Sequence, residues 1–71
     1  MLVFSRTNFE AFAPVGVKKL IPDAHREALD GKPVNARGNG FYWVDYEVDG
    51  EEFTLYPIYT EWCEEVPCND T

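Results

Sequence analysis

The chain has no basic side chain after Arg37. It has only two cysteines, one histidine and one methionine. It shows no repeat, no low-complexity segment and no linker. No apolar run approaches the ~20 residues that a membrane helix needs. Each absence narrows the function. Nucleic-acid binders set clustered Lys and Arg against phosphates. Six basic residues interleaved with four acids in the first 37 positions make no such patch. Direct binding of nucleic acid, or of an anionic lipid surface, is therefore not expected. The stretch Gly38-Asn39-Gly40 is too short for a phosphate-cradling loop and leads into a strand pattern rather than a helix. His25, Cys63 and Cys68 fall one short of the four ligands of structural zinc. Cys63 sits among Glu61, Glu64 and Glu65, which favour the neutral thiol over a nucleophilic thiolate. Carboxylate pairs could do acid–base work only inside a pocket, which 71 residues rarely build alone. No cofactor and no catalytic residue are expected.

The start, Met1-Leu2-Val3-Phe4-Ser5-Arg6, is too short an apolar stretch for a secretion signal. The expected setting is the cytoplasm, with Cys63 and Cys68 as free thiols. A Cys63–Cys68 disulfide would close a very short loop and stabilise little.

What is present is acid and aromatic in one half. The first 37 residues carry a net +2 and the remainder −9, which gives the whole chain −7. Eight of the eleven aromatics (Phe41, Tyr42, Trp43, Tyr46, Phe53, Tyr56, Tyr59 and Trp62) share the acidic part. Unpaired like charge raises the energy of a compact fold but keeps it soluble and attracts cations. The 45% hydrophobic content suffices for one small core, so a single folded domain over 1–71 is expected.

Local signals give an α+β fold. Met1–Phe4 reads as a strand. Thr7 and Glu10 have capping-box spacing, which predicts a short helix through Asn8–Ala13, stopped by Pro14. Val15–Ile21 carries no decisive pattern. The main helix spans 22–30, with Pro22 at its first position and Gly31 just past its end. Its apolar stripe is Ile21, Ala24, Ala28 and Leu29. A short strand is expected within Val34–Arg37, and Asn39-Gly40 marks a turn. The sheet is built on a hairpin, 41–58, around the two-residue loop Asp49-Gly50. That loop fixes the register: Val48 faces Glu51, Tyr46 faces Phe53, and Val44 faces Leu55. These form the core side with Tyr42. The outer face then pairs Glu47 with Glu52, Asp45 with Thr54, Trp43 with Tyr56, and Phe41 with Ile58. Pro57 ends the arm, because it cannot donate to a ladder. Thr60 is expected to cap a terminal helix, Glu61–Val66.

Glu47 opposite Glu52 costs stability, and nothing within the segment neutralises it. Where a chain departs from local consistency, function is the first explanation to consider. Alternate strand residues stand ~6.7 Å apart, close to two steps of ~3.4 Å along one DNA strand. Asp45 and Glu47 can thus imitate every second phosphate, with Glu61, Glu64 and Glu65 extending the row. The bland alternative is a solvated acidic face with no specific partner.

On Asp45, Glu47, Asp49, Glu51, Glu52, Glu61, Glu64 and Glu65, the chain resembles the small acidic phage-encoded inhibitors of bacterial defence, the anti-CRISPR and DNA-mimic class. The resemblance is one of composition and covers about the second half of the chain. It implies a non-enzymatic inhibitor in the cytoplasm of a host bacterial cell. Such a protein docks on a basic, nucleic-acid-binding surface of a protein or nucleoprotein complex, as a monomer or weak homodimer. The acids would meet Lys and Arg, and Trp43 and Tyr56 would anchor the contact. A different class is a structural or assembly protein that self-associates through the aromatic face. A third is a calcium module, since Asp45-Tyr46-Glu47-Val48-Asp49-Gly50 resembles the opening of a calcium loop. The carboxylate due at the loop's twelfth position falls on Tyr56, which cannot serve. The aromatics Phe41, Trp43, Tyr56 and Trp62 could instead cover a second small core.

Overall fold

The computed structural model describes residues 1–67. Within them the fold is α+β, with three short helices and two small antiparallel sheets. Strand β1 (Leu2–Phe4) leads into α1 (Arg6–Phe12), α2 (Val15–Leu20) and α3 (Asp23–Leu29). Then come β2 (Asn35–Arg37), β3 (Phe41–Val48) and β4 (Glu51–Leu55). A short 3-10 helix, Thr60–Trp62, feeds β5 (Cys63–Glu65).

The helices start and stop where local chemistry directs. Ser5, not Thr7, caps α1: its side chain accepts a 3.2 Å hydrogen bond from the Asn8 backbone N–H. The chain enters the helix directly from β1, so the cap falls two residues earlier than the capping-box spacing places it. Pro14 separates α1 from α2, and Pro22 precedes α3 as its cap residue. Gly31 takes a positive φ just beyond α3. The buried stripe of α3 is rotated from the expected one: Ala24 is exposed, while His25 packs inward. The His25 ring lies 4.7 Å from Phe53 between centroids, and its Nδ1 shares a 2.7 Å hydrogen bond with the Tyr46 hydroxyl. A polar ring is accepted there because the phenol gives it a partner. This contact seats the main helix on one face of the hairpin.

The hairpin has the expected register from Val48↔Glu51 to Val44↔Leu55. Asp49 and Gly50 both take positive φ, the geometry of the primed turn that matches strand twist. Beyond Leu55 the expectation fails. Ile58 does not face Phe41 on the outer side. Its N–H donates to the Tyr42 carbonyl, and its side chain is buried. Pro57 has no amide to continue the ladder, and past it the chain turns the apolar Ile58 into the core.

The terminal helix over Glu61–Val66 is also corrected. Only Thr60–Trp62 is helical, and Cys63–Glu65 pairs with β1. Strand β1 offers two edges. One takes β5; the other is bridged by the segment that leads into β2, through Val3↔Pro33 and a Val34 N–H bonded to the Leu2 carbonyl. A strand satisfies more of β1's backbone than a detached helix would. The two sheets thus run in the order β5, β1, residues 31–34 with β2, β3, β4.

The core lies between the helices and the sheet. Phe4, Phe9, Leu29 and Val44 are fully buried. Phe9 meets Trp62 edge-on at 5.0 Å and Phe4 at 5.5 Å between ring centroids. Each such side chain contributes about 1.5–3 kcal/mol by leaving water.

Candidate functional site

All three helices precede β2 in the chain, and the main one packs on the Tyr46–Phe53 side of the hairpin. The opposite side is left open by the described residues. By strand alternation it carries Phe41, Trp43, Asp45 and Glu47 from β3, and Glu52 and Thr54 from β4. The β2 register adds Arg37 beside Phe41 and Asn35 beside Trp43.

The face has two ends. At the aromatic end Phe41 and Tyr56 stack at 6.4 Å between centroids, and are 47% and 54% exposed. With Trp43, Arg37 and Thr54 they line a shallow groove of about 510 Å³. Trp62 is not part of it; its ring is in the core. The aromatics therefore divide: Trp62 packs the interior, while Phe41 and Tyr56 lie open beside a half-buried Trp43.

At the acidic end Glu47 and Glu52 stand directly opposite each other. Asp45 is better held than the sequence suggested. Its Oδ1 accepts a 2.7 Å hydrogen bond from the Thr54 hydroxyl, and its Oδ2 accepts from Asn35 Nδ2 at 3.4 Å. Lys32 also lines the concavity formed by Asp45, Glu47 and Glu52. The acids are thus softened by one cation from outside the hairpin, although none of them makes an ion pair among the described residues.

The remaining acids fall elsewhere. Asp49 occupies the turn, and Glu51 faces the helix side beyond Val48. Glu64 pairs with Val3, which bridges Pro33, so alternation puts it on the same broad face as Asp45. Three strand spacings separate them, about 14 Å. Glu65 points to the other face and pairs with the N-terminal amine at 2.8 Å. Glu61 belongs to the 3-10 helix. The structure therefore gathers Asp45, Glu47 and Glu52 with Trp43 and Tyr56, and does not place Glu61 and Glu65 in file with them.

The stretch 45–50 is extended strand ending in a tight turn, not the curved loop of a calcium site. Among the described residues no group of three or more His, Cys, Asp or Glu is placed to hold a metal. Cys63 is buried, donates weakly to the Tyr59 carbonyl at 3.5 Å, and has its thiol pKa pushed up to about 11 by burial. Desolvation, rather than neighbouring acids, keeps it protonated. A Cys63–Cys68 pairing lies outside the described residues. Burial likewise raises the Tyr46 hydroxyl pKa. On the helical side Arg6 bonds Glu10 and Asp23, which holds the Glu10 carboxyl below its ordinary value.

Sequence reasoning missed Lys32, Asn35 and Arg37 on this face. The Asn39-Gly40 turn held the signal, since a tight loop there sets Arg37 against Phe41 and Asn35 against Trp43. Among the described residues no helix is long and apolar enough to cross a membrane. Comparison with protein-family models, with curated proteins and with solved structures gives no match.

Proposed function

We propose that the chain is a non-enzymatic inhibitor that docks the open sheet face on a basic surface of a bacterial defence complex, as anti-CRISPR proteins do. One observation carries this reading: an uncovered face joins a carboxylate cluster (Asp45, Glu47 and Glu52) to an exposed aromatic groove (Phe41, Trp43 and Tyr56). A monomer that needs only solubility gains nothing from placing like charges in one cross-strand pair. It gains nothing from leaving stacked aromatics in water beside them. A partner with Lys and Arg relieves both costs, since the cations answer the carboxylates and the rings supply buried anchor area. Trp43 and Tyr56 also accept cations over their faces. The cluster is compact rather than a long file. This favours a local basic patch, such as the rim of a nucleic-acid groove, over imitation of many consecutive phosphates.

The test is affinity capture from a bacterial lysate with two baits, the wild-type chain and the Asp45→Asn, Glu47→Gln, Glu52→Gln variant. A nucleic-acid-handling complex held by the first and lost by the second, with loss in high salt, is the expected result. Equal capture by both baits would remove the acidic face from the contact. A self-assembling protein is the second reading, favoured by the exposure of Phe41 and Tyr56. It requires an oligomer in light scattering that persists in high salt.

A further inference from the structure

Strand β4 is an open edge, because it pairs with β3 on one side and with nothing on the other among the described residues. The turn Asp49-Gly50 bonds the flanking residues Val48 and Glu51 to each other. In an antiparallel ladder bonded and non-bonded pairs alternate, so Glu51, Phe53 and Leu55 turn their backbone groups toward β3. Glu52 and Thr54 turn theirs outward, to the open edge. Both sides of that edge are unlike. On the outer side lie Glu52 and the Asp45 bonded to Thr54. On the helix side lie Phe53 and Leu55, both part-exposed, and Leu55 borders an apolar groove with Val17 and Leu20. Leu20 is 79% exposed.

We infer that this edge accepts an extended segment of the partner as an added antiparallel strand, one in which basic and apolar residues alternate. The inference rests on the proposed reading of the face as a receptor for cations. An added strand would bond to the outward N–H and C=O groups of Glu52 and Thr54. Its residues opposite those two would project over the carboxylate cluster, which calls for Lys or Arg. Its intervening residue would project beside Phe53, and the next toward Leu55 and Leu20, which calls for aliphatic side chains. A second copy of this chain is a poor occupant. Among the described residues its edges β4, with Glu51 and Glu52, and β5, with Glu64 and Glu65, bring acidic strand to acidic strand, and its short edge β2 offers Arg37 as its only basic side chain where the alternation calls for two.

The test uses the full chain labelled with ¹⁵N and two synthetic peptides, acetyl-Arg-Val-Arg-Val-Arg-amide and its reordered form acetyl-Arg-Arg-Arg-Val-Val-amide. Amide hydrogen exchange is read residue by residue. The alternating peptide is expected to bind more tightly and to slow exchange at Glu52 and Thr54 several-fold. The amides of Phe53 and Leu55, already bonded to β3, should change little. If both peptides bind equally and leave Glu52 and Thr54 unprotected, the strand-addition proposal is overturned while the acidic face stands as a cation receptor. If neither peptide binds, the receptor reading fails and takes this proposal with it.

Discussion

Reversing one charge in the Glu47–Glu52 pair should separate stability from binding. The two residues are direct cross-strand neighbours. Like charges so placed destabilise a strand pair, and opposite charges stabilise it, by roughly 0.2–1 kcal/mol each. Both side chains are exposed, which puts each effect at the low end of that range. Glu52→Lys should therefore stabilise the fold by about 0.5–1 kcal/mol, helped by a net charge that falls in magnitude from −7. For a domain of this size that corresponds to a rise of about 2–8 °C in melting temperature. Thermal unfolding by circular dichroism, with Glu52→Gln as the neutral step, measures it. The gain should order as Lys above Gln above wild type and shrink in 0.5 M salt, an ionic strength chosen to shorten screening to a few ångströms. The same substitution should abolish partner capture. An unchanged or lowered melting temperature would refute the reasoning. It would show that Lys32 and solvent already cancel the repulsion, so that the pair is no departure from local consistency.

Replacing Phe9 by Ala removes a fully buried ring from between Phe4 and Trp62 and should cost about 3–5 kcal/mol, enough to abolish near-ultraviolet dichroism in so small a domain. Gly50→Ala meets no atom within 4 Å but forces a side chain into positive φ, so urea unfolding should show a loss of about 1 kcal/mol with no change of slope. The Cys63 thiol is raised from 9.0 to about 11 in the folded state, so above pH 9 the unfolded chain loses its proton first. Stability should then fall as pH rises from 9 toward 11, and Cys63→Ala should reduce that fall in urea midpoints taken at each pH, leaving the share that the raised Tyr46 hydroxyl contributes. Changing Glu51, Glu52, Glu64 and Glu65 together to Thr strips the charge from the β4 and β5 edges and should give larger species by light scattering than the wild-type chain does.

The hairpin was legible because its information is local. Asp49-Gly50 sets the turn, and alternation then assigns every residue from Val44 to Leu55 to a face. Two other parts were illegible because their information is not local. The pattern Thr60–Pro67 satisfies a short helix by itself. It becomes β5 because β1, some sixty residues away in the chain, presents a free edge. The rotation of α3 that turns His25 inward depends on the Tyr46 hydroxyl waiting across the core. For the site, sequence placed Asp45, Glu47, Glu52 and Trp43 on one face together with Tyr56. It also strung Glu61 and Glu65 into that face; the 3-10 helix takes Glu61 out of line, and the pairing of β5 with β1 turns Glu65 to the other face. The basic side chains that temper the face, Lys32 and Arg37, come from the half of the chain that looked separate from it.

The most direct measurement is displacement of nucleic acid. The complex captured by the wild-type chain is loaded with a fluorescently labelled duplex, and anisotropy is followed as the chain is added. Release of the duplex by the wild type, and none by the Asp45→Asn, Glu47→Gln, Glu52→Gln variant of equal melting temperature, is the expected result. A duplex that stays bound at saturating wild-type chain, or that leaves equally with the variant, would contradict inhibition through this face.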